Sequence, residues 1–123
     1  MKQISTLKAP KAVGPYSQAI EIDGLVFVSG QIHINPETGT IDAENIEEAT
    51  HQAIKNVGAI LAQAGLSFDN VVKSTVFIKN INDFGKINQI YEGYFVSKPA
   101  RSLVEVSNLP KGANIEIEVI AKK

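Results

Sequence analysis

The 123-residue sequence contains no cysteine. Disulfides, thiolate metal sites and a cysteine nucleophile are therefore excluded, and the composition fits a reducing cytosol. No apolar run approaches the ~20 residues that a transmembrane helix needs, and the opening residues MKQIS lack the apolar core of a signal peptide. From these absences we expect a cytoplasmic protein with no membrane partner.

The sequence also lacks an excess of charge of one sign. Lysine and arginine number 12 against 13 aspartates and glutamates, the formal net charge is −1, and the lysines are scattered. Proteins that track a phosphate backbone carry a basic stripe, so this pattern argues against a nucleic-acid partner. The length and the 44% hydrophobic content are ordinary for one globular domain, and we assign residues 1–123 to a single domain.

The residue patterns of common metal, cofactor and covalent enzymes are missing too. His33 and His51 are the only histidines and share no ligand spacing with other donors. Ser29 does not lie in a G-x-S-x-G motif, and there is neither a P-loop nor a G-x-G-x-x-G sequence. We therefore expect no metal and no cofactor, and an enzyme with this sequence would work without a covalent nucleophile.

Arginine occurs once, at Arg101, whereas the other eleven basic residues are lysine. A guanidinium is a planar, permanently charged fork that binds a carboxylate or phosphate through two parallel hydrogen bonds, which lysine cannot do. One interpretation of Arg101 is therefore a site for a small anionic ligand. The other is a structural Arg–Glu pair in a strand, and this residue alone does not decide between them.

The apolar pattern predicts the element order ββ–α–β–α–ββ. Asp23-Gly24 is a strong type I′ hairpin signal, and the strand that follows it ends at Ser29-Gly30-Gln31. Asn45 with Glu48 predicts a capped helix start, and Gly65 predicts its end. The second helix is entered through Asn82-Asp83. The predicted strands are 20–22, 25–28, 71–78, 102–106 and 115–121, and the predicted helices are 46–64 and 84–95.

This order predicts an α+β fold in which one sheet carries two helices on one face. The strand at 25–28 is apolar at every position, so we expect it to be covered on both faces. No third helix is available to cover the opposite face of the sheet. Assembly with other copies of the chain is the simplest solution, and it would place clefts between subunits.

Charged residues in the last two strands are candidates for chemistry. Arg101, Leu103 and Glu105 share one strand face, and Glu116 and Glu118 share a face of the final strand. If these strands were neighbours, Arg101 could approach a glutamate able to activate a water, but the sequence does not fix the register. A solvated face or a plain salt bridge is the commoner explanation of such glutamates.

Four further residues could contribute to a pocket. Tyr16 follows Gly-Pro in a rigid segment, so its ring could form a wall and its hydroxyl could donate a hydrogen bond. Ser29 and Gly30, after a buried strand, could present backbone groups to a ligand, and Asn88 lies beside the apolar stripe of the second helix. Each also has a plain structural explanation: a core tyrosine, a strand terminus or an exposed asparagine.

Six segments occur in order along nearly the whole chain without large insertions. They are 14–19 (GPYSQA), 28–32 (VSGQI), 57–65 (VGAILAQAG), 72–78 (VKSTVFI), 99–102 (PARS) and 115–121 (IEIEVIA). Together they closely resemble the RidA (YjgF-type) family, and the PARS and IEIEVIA runs are the most specific of them.

The resemblance implies a chorismate-mutase-like (ferredoxin-like) α+β fold that assembles into a homotrimer with a central β-barrel and sites in the clefts between subunits. It also implies hydrolysis of reactive enamines and imines, such as 2-aminoacrylate and 2-iminobutanoate, to 2-oxo acids and ammonia without a cofactor. Pyridoxal-phosphate dehydratases acting on serine or threonine generate these intermediates, which links the protein functionally to those enzymes.

The resemblance also implies roles for individual residues. Arg101 would bind the substrate carboxylate, and Glu116 would position the attacking water. The pocket would be completed by Tyr16, Ser29, Gly30 and Asn88, some of them from a neighbouring subunit. Glu105 and Glu118 match family positions without an assigned chemistry.

Two departures from the family pattern bear on specificity. Leu103 stands where many members have Cys or Thr, and this position faces the ligand mainly through its backbone. The stretch 94–98 before Pro99 is shorter than in many members, which would alter the rim of the cleft. The alternative function is a regulatory protein that binds small carboxylates in the same pocket without turnover. A ribonuclease-like activity, linked to some members, is not supported by the scattered lysines.

Overall fold

The computed structural model describes the whole chain, residues 1–123, as a six-stranded mixed sheet with two α-helices. The strands run in the order β1-β2-β3-β6-β4-β5, and only β4 and β5 are parallel. The strands are β1 (Lys2–Ile4), β2 (Ala19–Ile22), β3 (Leu25–Ile32), β4 (Val71–Ile78), β5 (Ala100–Glu105) and β6 (Ile115–Lys122), and the helices are α1 (Ile46–Gln63) and α2 (Phe84–Tyr94). The α+β class predicted from the sequence is confirmed.

The β2–β3 hairpin forms where the sequence placed it. Asp23 and Gly24 both have positive φ, 51° and 76°, as a type I′ turn requires. The prediction that the following strand ends at Ser29-Gly30-Gln31 is wrong, because a bulge between Val28 and Gln31 lets β3 continue to Ile32. The three-residue strand β1, which pairs with β2, was not predicted.

Helix α1 has the predicted start and end. The Asn45 side chain accepts a hydrogen bond from the Glu48 N–H at 2.9 Å, a cap that contributes about 1 kcal/mol to stability. The Glu48 carboxylate accepts from the Glu44 N–H rather than from Asn45, so the capping box is shifted by one residue. Gly65 follows the helix with φ 77°. The helix buries Ala49, Ala53, Ile54, Val57, Ile60 and Leu61.

Helix α2 connects the parallel strands β4 and β5 and packs beside α1. Asp83 provides no side-chain cap; instead, the Asn80 side chain caps a short 3₁₀ turn, Ile81–Asp83, that leads into the helix. Ile87 and Tyr91 are its buried residues. The turn therefore sets the start of the helix, and with it the face of α2 that meets the sheet.

Both helices cover one face of the sheet. Alternate residues of β4 and β6, among them Val76, Ile78 and Ile117, are completely buried beneath them. The expectation that 25–28 is covered on both faces is not met within one chain, because Phe27 is 40% exposed on the helix-free face. The cross-strand pairs place Ile20, Phe27 and Ile120 in one row of that face and Val104, Phe77 and Glu116 in another.

Candidate functional site

Arg101 and Glu116 lie on opposite faces of the sheet. The last two strands are not neighbours, because β4 lies between β5 and β6. Arg101 is in register with Ser74, which faces the helices, whereas Glu116 is in register with Phe77, which faces away from them. The possibility that strand pairing brings this arginine close to Glu116 is therefore wrong for a single chain. The candidate site consists of two half-sites.

The Glu116 half-site is a cavity of about 730 Å³ on the helix-free side. It lies between the sheet, the N-terminal arm (residues 5–18) and the turn at Pro110 and Lys111. Four of the sequence-predicted site residues line it: Tyr16, Ser29, Gly30 and Glu116. The structure thus brings these four together and leaves Arg101, Asn88 and Leu103 elsewhere.

Gly30 provides the space that the Glu116 side chain occupies. A Cβ atom at Gly30 would lie 2.6 Å from Glu116 Oε2 and 2.8 Å from its Cδ. Gly30 is in the β3 bulge, beside the strand that carries Glu116. Any other residue at this position would have to displace the carboxylate, so this glycine is required by a close approach rather than by an unusual φ.

The Glu116 carboxyl is less acidic than an ordinary glutamate. Burial raises its pKa, and the negative charge of Glu118 raises it further. Glu118 lines the same cavity but is more exposed. A partly buried carboxylate of raised basicity, open to a cavity, can accept a proton from a water molecule.

The N-terminal arm is fixed over this cavity by hydrogen bonds. The Ser29 hydroxyl donates to the Ser17 carbonyl at 2.6 Å, and the Ser29 N–H donates to the Gln18 carbonyl at 2.9 Å. The buried Gln18 side chain donates to the Pro10 carbonyl at 2.8 Å and accepts from the Thr6 N–H at 2.7 Å. These bonds hold the segment that carries Tyr16, whose side chain remains 53% exposed.

The Arg101 half-site lies between β5 and α2. Arg101 Nη1 donates to Asn88 Oδ1 at 2.7 Å, and the guanidinium carbon lies 4.8 Å from the Tyr91 ring centroid and 5.9 Å from that of Phe84. The single salt bridge of the chain joins Lys123 to Glu21, so Arg101 has no carboxylate partner within the chain. The structural Arg–Glu pair considered from the sequence is not formed, and a partly buried guanidinium keeps donors for an anion.

Leu103 and Glu105 share the strand face of Arg101, and the contacts of both side chains are structural. Leu103 is partly buried and packs against the core. Glu105 Oε1 accepts a hydrogen bond from the Ile81 N–H at 2.8 Å, which fixes the turn before α2. The Leu103 side chain therefore fills space next to the arginine.

Ser74 and Tyr91 belong to the Arg101 half-site but were not predicted to do so. Their hydroxyl groups are hydrogen-bonded to each other, and both residues are buried. Burial raises the pKa of Tyr91, while the Ser74 hydrogen bond and the Arg101 charge oppose the rise. The available signal was Ser74 itself, a polar residue at a helix-facing position of a strand in which the next helix-facing residues, Val76 and Ile78, are apolar.

The structure contains no group of three or more His, Asp or Glu side chains arranged to hold a metal ion. His33 is buried, its Nε2 accepts the Asn114 N–H at 3.0 Å, and burial lowers its pKa. Neither α-helix combines the length and the apolar character that crossing a membrane requires.

Comparison with known proteins adds to this geometry. Residues 6–123 match the sequence model of the family described as Endoribonuclease L-PSP. The RutC family protein PYRAB12510 of Pyrococcus abyssi is 55% identical over 98% of this chain and 95% of its own. The 2-iminobutanoate/2-iminopropanoate deaminase of Mus musculus is 49% identical over 98% of this chain and 90% of its own. The crystal structure of E. coli TdcF with bound serine has a TM-score of 0.95 at 42% identity, covering 100% of this chain and 99% of that chain.

Proposed function

The chain belongs to the Endoribonuclease L-PSP family, which is the RidA (YjgF) family, and on that premise we propose that it hydrolyses reactive enamines and imines. The substrates would be 2-aminoacrylate and 2-iminobutanoate, and the products 2-oxo acids and ammonia. The observation that carries this proposal is Arg101, a partly buried guanidinium without a carboxylate partner in its own chain. The deaminase name of the mouse relative supports the reaction class.

We propose that the active form is a homotrimer with the chorismate-mutase-like arrangement, in which the helix-free faces enclose a central β-barrel. The exposed apolar residues of that face, including Phe27 and Val104, support this assembly. The opposite orientation of Arg101 and Glu116 supports it independently. A small substrate cannot reach both faces of one sheet. It can contact both residues only if the Arg101 half-site of one subunit lies beside the Glu116 half-site of the next.

In the proposed mechanism, Arg101 binds the substrate carboxylate through donors not used by Asn88. Glu116 accepts a proton from a water molecule as the water oxygen attacks the C=N carbon, and it passes this proton to the imine nitrogen; 2-aminoacrylate would enter this step as its imine tautomer. The hydroxyl proton of the resulting carbinolamine then passes to the amino nitrogen, the C–N bond breaks to release ammonia, and the C=O bond forms. Tyr16 would close the pocket, and Ser29 would hold the arm that carries it. Gly30 would leave the space for the Glu116 carboxylate, and Asn88 would hold the Arg101 guanidinium.

The proposed substrates are unstable three- and four-carbon compounds released by pyridoxal-phosphate dehydratases acting on serine or threonine. The protein would therefore act beside those enzymes in the cytoplasm and remove their reactive products. The serine bound by E. coli TdcF supports a small amino-acid-like ligand with a carboxylate.

A second candidate is a small-carboxylate-binding regulatory protein that uses the same pocket without turnover. Serine has no C=N bond to hydrolyse, so its presence in E. coli TdcF favours binding as much as catalysis. The RutC name of the Pyrococcus abyssi relative specifies no reaction. Leu103, which adds apolar bulk beside Arg101, would be the first residue to examine for a changed ligand range.

The deciding experiment couples a pyridoxal-phosphate threonine dehydratase to the protein and follows the appearance of 2-oxobutanoate. Wild type should accelerate product formation, Arg101→Ala should not, and the exposed-lysine control Lys86→Ala on α2 should behave as wild type. No acceleration by folded, assembled wild type would reject the hydrolase. Binding of 2-oxobutanoate by that same preparation would then favour the regulatory protein.

A further inference from the structure

We propose that Tyr91 and Ser74 are positioning residues for Arg101, and that their hydroxyl pair fixes the aromatic surface on which the guanidinium lies. This inference rests on the proposed role of Arg101 in binding the substrate carboxylate. Neither residue contacts the substrate in this proposal. Both affect how tightly the substrate is bound, through the position of Arg101.

The Tyr91 ring is held by packing as well as by its hydroxyl. It stacks on Phe95 with 4.2 Å between centroids and 18° between planes, and Phe95 is only 1% exposed. Phe95 in turn contacts Phe68 edge to face at 5.1 Å. The surface beneath the Arg101 guanidinium is therefore continuous with the hydrophobic core and does not move independently of it.

The buried hydroxyl of Ser74 would destabilise the fold if it had no hydrogen-bond partner. Ser74 is completely buried, and the neighbouring helix-facing residues of β4 are Val76 and Ile78. A buried hydroxyl costs free energy without a hydrogen-bond partner, and a small apolar residue would avoid that cost. The Tyr91 hydroxyl is the partner, so this bond ties α2 to β4 at the strand position that registers with Arg101.

Two contacts then restrict the guanidinium. Asn88 Oδ1 binds one of its nitrogens at 2.7 Å, and the Tyr91 ring at 4.8 Å restricts its plane. A free arginine side chain loses much rotamer entropy when it is immobilised by a ligand. Because Asn88 and Tyr91 restrict it before the ligand arrives, less of that loss falls on the binding step. Both contacts lie on α2, so the hydroxyl pair that fixes α2 also fixes Arg101.

The test measures KM and kcat for imine hydrolysis in Tyr91→Phe, Ser74→Ala and the double variant. Each single variant should raise KM roughly three- to tenfold, which is the effect of losing one net hydrogen bond. The double variant should be no worse than the singles, because all three remove the same contact. Since Glu116 is untouched, kcat should change by less than KM.

Tyr94→Phe is the matched control. It makes the same chemical change on the same helix and removes a hydroxyl bonded to His51 Nδ1 at 2.8 Å, with no contact to Arg101. Its KM should equal that of wild type. Unchanged KM in Tyr91→Phe and Ser74→Ala, with melting temperatures lowered, would reduce the hydroxyl pair to a purely structural role and overturn the proposal.

A measurement of ligand binding tests the positioning role of Tyr91 and Ser74 independently of the proposed hydrolysis. The dissociation constant for 2-oxobutanoate, measured by calorimetry, should rise in Tyr91→Phe and Ser74→Ala but not in Tyr94→Phe. If wild type binds this ligand without hydrolysing imines, the proposed function fails, and a raised Kd in the two variants still supports the positioning role. An unchanged Kd overturns it whether or not wild type is a hydrolase.

Discussion

The two half-sites are built in different ways. Glu116 lies in an open cavity and depends on the β3 bulge at Gly30 and on an N-terminal arm, which is fixed by hydrogen bonds from the Ser29 hydroxyl and the Gln18 amide to main-chain carbonyls. Arg101 depends on packed side chains, with Asn88 and Tyr91 of α2 against it. In the proposed mechanism, the reactivity of Glu116 would therefore be set by burial and nearby charge, whereas ligand binding at Arg101 would be set by the side chains packed around it.

Among the variants that test this difference between the half-sites, Glu116→Ala should have the largest effect on activity. Removing a group that takes a proton from the attacking water should lower kcat by roughly 10²–10⁴-fold. The Kd for 2-oxobutanoate should change little, because Arg101 and its supports remain. Turnover in the coupled assay and calorimetry on the same preparation measure the two quantities. A variant that loses binding together with turnover would show that the half-sites are not separable.

Gly30→Ala should have the next largest effect. The new methyl group would occupy the place of the Glu116 carboxylate, and displacing a catalytic group by about 1 Å can cost up to roughly 10²-fold in rate. The loss should fall on kcat, since Arg101 is not touched. Gly93→Ala is the control, because a Cβ there meets no atom within 4 Å. Equal rates for wild type and Gly30→Ala would mean that the Glu116 position is not critical.

Glu118→Gln should have the smallest effect, a shift in the pH profile. Glu118 raises the pKa of Glu116, so neutralising it should lower that pKa. The proposed mechanism requires Glu116 in its ionised form, so activity should fall as the pH drops through its pKa. The acid limb of kcat/KM against pH should therefore move to lower pH in the variant. A limb that stays in place, or moves to higher pH, would contradict the assignment of Glu116 as the titrating base.

Much of the fold could be predicted from local signals. Asp23-Gly24 marks the hairpin and Asn45 marks the start of α1, because each acts through the backbone next to it. The continuation of β3 past Gly30 was missed because the bulge depends on pairing with β6. The position of β4 between β5 and β6 is likewise set by long-range packing, and no local sequence signal in these three strands predicts it.

In the candidate site, too, some residues could be predicted from sequence patterns and others required the tertiary structure. Arg101 was found by its rarity and Glu116 by the resemblance of its strand, and neither required knowledge of the tertiary structure. Their separation onto opposite faces became visible only with the strand order. Ser74 and Tyr91 were missed because their association depends on the way α2 packs on β4. Sequence patterns thus identified the charged groups, while the groups that hold them required the fold.

The division of Arg101 and Glu116 between the two sheet faces has a genetic consequence. In the proposed trimer, a chain without the guanidinium and a chain without the carboxylate would each be inactive alone. Mixed together, they would form some sites in which the intact Arg101 of one chain meets the intact Glu116 of the other. Defective alleles at these two positions should therefore complement each other. Alleles at Glu116 and Gly30 should not, since both defects fall on the same half of the site.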